Sequence, residues 1–118
     1  MDYSPEQIKS KLDQILPYVQ RPGRYTGGEL NQVVKDWDQI ETKACFVFPD
    51  IYDLGMSNYG LAILYDILNR RPDVLAERAY SPWIDMEEQM RKEKLPLFSL
   101  ESKTSLEHFD IIGITLPY

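Results

Sequence analysis

Cysteine and histidine each occur once, as Cys45 and His108, in a chain of 118 residues. One thiol excludes an internal disulfide. One thiol and one imidazole cannot furnish a zinc site or hold an iron–sulfur cluster within these residues. Basic residues are also few: 13 Lys and Arg stand against 19 Asp and Glu, for a net charge of −6. They are scattered, with small clusters at Arg70–Arg71 and Arg91–Lys94. A phosphate-backbone surface needs a basic patch, so no nucleic-acid partner is expected. No apolar run approaches the roughly 20 residues that span a bilayer, so no membrane partner is expected. The opening MDYSPEQIKSKLDQIL is polar, amphipathic and partly acidic. It suits neither a signal nor a transit peptide, and a cytoplasmic location is the default expectation. Neither G-x-G-x-x-G nor G-K-[ST] is present, which excludes the two common phosphate-cradling loops.

What is present is a hydrophobic fraction of 43% and an aromatic fraction of 12%, fitting one ordered globular domain with no room for a second core. Ser4–Pro5 is a helix start, and Ile8, Leu12, Ile15, Leu16 and Val19 recur at helical spacing. An amphipathic helix over 5–16, ended by Pro17, is therefore predicted, docking on the main body or on a partner. The segment QRPGRYTGGE (20–29) is dense in turn formers. It reads either as an ordered connection or as an arm that contacts an anion or a partner through Arg21 and Arg24.

From Lys43 the pattern changes. Ala44–Phe48 is an apolar run of the kind buried on both faces of a parallel sheet. Pro49–Asp50 break it. Ser57 can cap a helix running to about Arg71, with Leu61, Leu64, Tyr65 and Leu68 on one face. Val74–Tyr80 reads as a second strand, and Glu77 and Arg78 predict that it is the more exposed one. Ser81–Pro82 open a helix to about Lys94, acids first and bases last, with i,i+4 pairs Glu87–Arg91 and Glu88–Lys92. A short edge strand at Leu97–Leu100, a helical turn at 104–107 and a last apolar strand at Asp110–Leu116 complete the reading.

The sum is a leading amphipathic helix followed by β-α-β-α-(β)-β. Right-handed crossovers make this an α/β fold: a Rossmann- or flavodoxin-like open parallel sheet with helices on both faces. The first strand is expected between the other two. The last strand is expected to lie uncovered, as if the domain continued with further βα units. The turn DIYDLGMSNYG (50–60) collects Asp50, Tyr52, Asp53, Gly55 and Ser57 at the carboxyl end of the first strand, where open α/β sheets bind ligands. Plainer roles exist for each. Gly55 can simply permit the turn and Gly60 let the helix approach the sheet, or the amides near Ser57–Gly60 can receive an anion. Asp50 and Asp53 without a third acid or a histidine point to capping or turn roles, and no metal site is expected. Tyr52, Tyr59 and Tyr118 either rim a pocket for a flat ligand or are ordinary rim residues. Cys45 reads as an inert core thiol and His108 as a solvated loop residue. No complete catalytic constellation is present, so no catalytic residue is assigned.

Three stretches, RPGRYTGGELNQVVKDWD, FPDIYDLGMSNYGLAILYDILNRRPDVLAERAYSPWIDMEEQMR and LPLFSLESKTSLEHFDIIGITLPY, resemble the start of a family of large radical S-adenosylmethionine proteins. PGRYxGGE, FPDxYDLGMS and SPWxDME in this order are the specific features. The family carries an N-terminal cobalamin-binding-like domain before a radical SAM barrel with a CxxxCxxC motif. The resemblance implies an N-terminal helix and Gly-rich arm over 1–29 and a partial cobalamin-binding-like domain over 30–118. It implies a module that is not catalytic alone, in a full-length radical SAM enzyme. The resemblance places a 4Fe–4S cluster and S-adenosylmethionine only in the downstream radical SAM domain, the expected partner, while the uncovered last strand predicts a homo-oligomer. Cobalamin-binding domains often carry D-x-H-x-x-G, the histidine ligating cobalt. Here Asp50-Ile51-Tyr52-Asp53-Leu54-Gly55 places tyrosine in the histidine position. Cobalamin is then expected either without a protein ligand or not at all, the domain serving as a scaffold for interdomain or homo-oligomer contacts.

Overall fold

A computed structural model describes residues 3–28, 32–56 and 58–115. Helix α1 (Pro5–Ile15) begins as its first residues dictate. The Ser4 hydroxyl accepts from the Gln7 amide at 3.2 Å, and the Gln7 side chain accepts from the Ser4 amide at 2.8 Å. This reciprocal cap and Pro5 at the first position satisfy or remove the donors a helix start leaves orphaned. The helix passes into a 3-10 turn at Leu16–Tyr18, where proline stops it. Four-residue helix α2 (Gly23–Thr26) follows.

Three parallel strands, β1 (Thr42–Phe48), β2 (Val74–Tyr80) and β3 (Ile111–Ile114), form one sheet in the order β2-β1-β3. The central position expected for the first strand is observed. The β1–β2 crossover carries a one-turn helix α3 (Tyr52–Gly55) and then α4 (Tyr59–Asn69). The β2–β3 crossover carries α5 (Ile84–Lys92). The two crossovers run in opposite directions across the sheet, from β1 out to β2 and from β2 back past β1 to β3, which for right-handed connections places α4 and α5 on opposite faces.

Strand alternation sorts the side chains. Phe48, Arg78 and Tyr80 share the face covered by α3 and α4: Arg78 lies over the Tyr65 ring at 4.5 Å, and Gly55 packs against Tyr80 and Phe48. On the opposite face Cys45 and Ala79 pack with Phe109, Trp37 and Leu106. A further buried cluster of the same domain joins Ile8, Leu12 and Ile15 of α1 to Met86 and Met90 of α5 and to Phe98. The leading helix thus docks on this chain's own body.

Three local expectations change. The cap of α4 is Asn58, whose Oδ1 accepts from the Leu61 amide at 2.9 Å, one residue beyond the expected Ser57. Ser57 itself lies outside the described residues. Leu61 and Tyr65 are buried as expected, but Leu64 is half-exposed, because α4 leans on β2 and not across the sheet. Finally, β2 is not the exposed strand that Glu77 and Arg78 predict. Leu75, Ala76, Glu77 and Ala79 are all buried, because the segment 99–105 folds over the strand and supplies partners for its charges.

Candidate functional site

The carboxyl edge of the sheet is built where β1 and β2 end together. The Ser81 amide donates to the Asp50 carbonyl at 2.9 Å, tying the two strand exits. Asp50 Oδ1 accepts from the Ile51 amide at 2.8 Å, which bends the chain into α3. Tyr52 then stands edge-on to Tyr80, ring centroids 5.3 Å apart. Gly55 is required by the close approach that follows. A Cβ there would lie 2.3 Å from Tyr80 Cε1 and 3.0 Å from Phe48 Cδ1. Gly60, the expected close-packing glycine, is exposed, and a Cβ would meet only Asn58 Oδ1 at 3.4 Å. The packing role belongs to Gly55.

Asp53 turns toward the 20–29 arm. Arg24 meets it through Nε at 3.1 Å and Nη2 at 3.2 Å, and Arg21 through Nη1 at 2.8 Å. The Arg24 bond, ahead of the Arg21 bond, holds the Asp53 carboxyl below the ordinary carboxylate range, and Asp53 in turn raises Arg24. Arg24 also lies 5.7 Å from the centre of the Trp83 ring. One Asp–Arg pair therefore joins the exit of β1, the arm and the start of α5.

The arm is held at further points. Tyr25 Oη accepts from the Trp83 amide at 3.1 Å. Lys103 Nζ donates to the carbonyls of Thr26 and Leu100, and burial pushes its pKa down to about 8. Gly27, at φ +71, leaves a space in which a Cβ would fall 2.7 Å from the Leu100 carbonyl oxygen. Of the two readings of QRPGRYTGGE, the ordered connection describes most of its residues. Arg21 is the exception.

The five sequence-predicted residues thus have separate neighbours. Asp50 and Tyr52 remain at the edge. Asp53 faces the arm, Gly55 is buried under Tyr80, and Ser57, like Tyr118, lies outside the described residues. Around them the edge carries large apolar side chains in solvent: Leu54, Met56 and Tyr59 after β1, and Trp83 and Ile84 after β2. The cavity beneath, lined by Arg24, Tyr25, Tyr52, Tyr80 and Phe98, is about 20 Å³, room for one water.

The sequence reading missed a polar hub on the other side of β2. Glu77, 2% exposed, accepts at Oε1 from Ser99 Oγ (2.6 Å), Ser102 Oγ (2.7 Å) and the Ser102 amide (3.2 Å). Glu101 takes the Arg78 amide at 3.0 Å and Arg78 Nε at 2.9 Å, and burial raises its pKa. The signal was the hydroxyl-rich run SLESKTS (99–105) opposite a strand carrying Glu and Arg. Burial also pushes the Cys45 thiol up, as expected of an inert core cysteine. Among the described residues no three His, Cys, Asp or Glu side chains gather as a metal site, and no helix is long and apolar enough to cross a membrane.

Residues 60–118, from the first turn of α4 through β3, match the family described as radical SAM proteins, N-terminal. The chain belongs to that family. No curated protein and no solved structure matches it. As a radical SAM N-terminal domain it is a module of a larger radical SAM protein. The matched span begins after the Asp50–Gly55 turn, so membership rests on the α4-β2-α5-β3 portion and not on the cobalamin-like motif.

Proposed function

We propose that this radical SAM N-terminal domain holds a large flat cofactor of the cobalamin type across the carboxyl edge of its sheet, with no protein ligand to the metal. The observation that carries the reading is the set of exposed apolar side chains, Leu54, Met56, Tyr59, Trp83 and Ile84, gathered at the exits of adjacent parallel strands. Monomeric proteins seldom leave such groups together without a partner, and strand exits are where this architecture binds ligands. Asp50 and Tyr52 stand at the same edge, and Tyr52, Asp53 and Gly55 belong to the helical turn that follows β1. Tyr52, in the place of the motif histidine, packs its ring against Tyr80, in keeping with metal binding that uses no side chain at this position. The fit is to the outer surface: the cavity under the edge is too small for a nucleotide tail. When bound, such a cofactor supplies organocobalt and radical chemistry; these residues bind and orient it.

The test is titration of the full-length protein with hydroxocobalamin. Retained absorbance after gel filtration is the expected result. No spectral change at high micromolar ligand would overturn the reading. A second reading, a scaffold making homo-oligomer contacts, is favoured by β3, whose three isoleucines are exposed on both faces of the sheet. It predicts concentration-dependent association in sedimentation.

A further inference from the structure

Arg21 and Arg24 both bond Asp53, yet they are placed in opposite ways. Arg24 has a side chain 9% exposed and grips both carboxylate oxygens; Arg21 is 70% exposed and uses Nη1 alone. The charge of Asp53 is already matched by Arg24. Asp85, at the start of α5, is the acid that meets the arm on its other side. Its two oxygens accept the Gln20 amide at 2.7 Å and the Met86 amide at 2.7 Å.

The backbone at Arg21 is strained. Its φ is +49, a left-handed conformation that costs an L-residue about 1–2 kcal/mol, and it precedes Pro22, which narrows the allowed region further. Glycine would occupy this position without strain. The conformation is enforced on both sides, by the Gln20–Asp85 bond and by the Arg24 amide donating to the Arg21 carbonyl at 3.1 Å. Strain held in place by surrounding bonds is characteristic of functional positions. Here it presents a guanidinium, steadied by one bond to Asp53, the residue that precedes the exposed Leu54 in sequence, in a protein whose net charge is −6.

We propose that Arg21 is an anion-binding residue of the carboxyl edge, taking a phosphate group on a ligand whose flat apolar part rests on the neighbouring exposed side chains. This rests on the edge being a ligand site, as proposed above, and adds the chemical class of what it receives. Guanidinium suits phosphate because its donors form a planar fork.

Phenyl phosphate, inorganic phosphate and hydroxocobalamin, which carries a phosphodiester, are titrated calorimetrically into the full-length protein and its Arg21→Gly and Arg21→Gln variants. Phenyl phosphate should saturate one site and bind more tightly than inorganic phosphate. Both variants should weaken it about tenfold or more, the loss of one charge-assisted contact. Arg21→Gly should at the same time raise the melting temperature by releasing the left-handed strain, which separates a functional arginine from a structural one. Phenyl phosphate binding that is absent, or equally tight in both variants, overturns the proposal. Corrinoid binding unchanged by both variants also overturns it while sparing the cobalamin reading. Arg21-dependent phenyl phosphate binding without corrinoid binding supports it and removes cobalamin as the ligand.

Discussion

Strands β2 and β3 flank the same central strand in the same direction, and their outer edges are treated oppositely. Along β2 the outward backbone groups of Ala76 and Arg78 are met. The Asn69 side chain donates to the Ala76 carbonyl at 3.0 Å and accepts its amide at 2.9 Å. The Arg78 carbonyl accepts the Leu100 amide at 2.7 Å, and the Arg78 amide goes to Glu101. The strand with the charged residues is sealed by side chains and a loop. Along β3, with only isoleucine and glycine, no further strand lies outside the pair with β1 among the described residues, and Ile111, Ile112 and Ile114 are exposed. Hydropathy by itself would assign these strands the reverse exposures. Charge can be buried where partners come with it, and an apolar strand stays bare where nothing is placed beside it.

The comparison can be broken most severely at β2. Glu101→Ala should cost about 4 kcal/mol in urea unfolding, because it leaves the Arg78 guanidinium, on a side chain only 12% exposed, without this carboxylate. Gly55→Ala should cost about 2–3 kcal/mol through the clash with Tyr80. Gly60→Ala, on an exposed helical turn, should gain about 0.5–1 kcal/mol; equal effects at the two glycines would refute the assignment of close packing to Gly55. Asn69→Leu should cost about 2 kcal/mol by stripping the Ala76 edge of both partners.

A smaller effect is expected from pH. The folded pKa of Lys103, about 8, lies below its ordinary 10.5. Between those values the unfolded chain binds more protons than the folded one, so this group makes stability rise as pH increases through that window. The wild type measured against Lys103→Met between pH 8 and 10 should show that rise; a flat difference would deny the burial of the ammonium. The smallest change in stability belongs to β3. Ile114→Lys should leave unfolding within about 0.5 kcal/mol while abolishing any association seen in sedimentation. A monomeric wild type at every concentration would remove the homo-oligomer reading.

Much of the fold was legible because it is written locally. Ser4–Pro5 sets the start of α1, the apolar run at Ala44–Phe48 marks a buried strand, and the β-α-β-α-β order fixes β1 in the centre. The turn at the carboxyl end of β1 was legible as a place, and the contacts of its side chains were not. Asp53 and Gly55 were assigned to a ligand edge, and the structure gives them internal neighbours: Arg24 lies 29 residues from Asp53 in sequence, and Tyr80 25 from Gly55, the difference of their numbers. Arg21 was named with Arg24 as one arginine pair, since nothing in the spacing distinguishes a guanidinium facing inward from one facing out.

By itself the sequence determined the strand and helix order, the central strand and the family resemblance, because periodicity, caps and strand–turn–helix signals act over a few residues. Only the tertiary structure decided which charges are buried and which apolar residues are bare. Those outcomes depend on what distant segments bring to a position: Ser99, Ser102 and Glu101 to the charges of β2, Arg24 to Asp53, and nothing among the described residues to the isoleucines of β3.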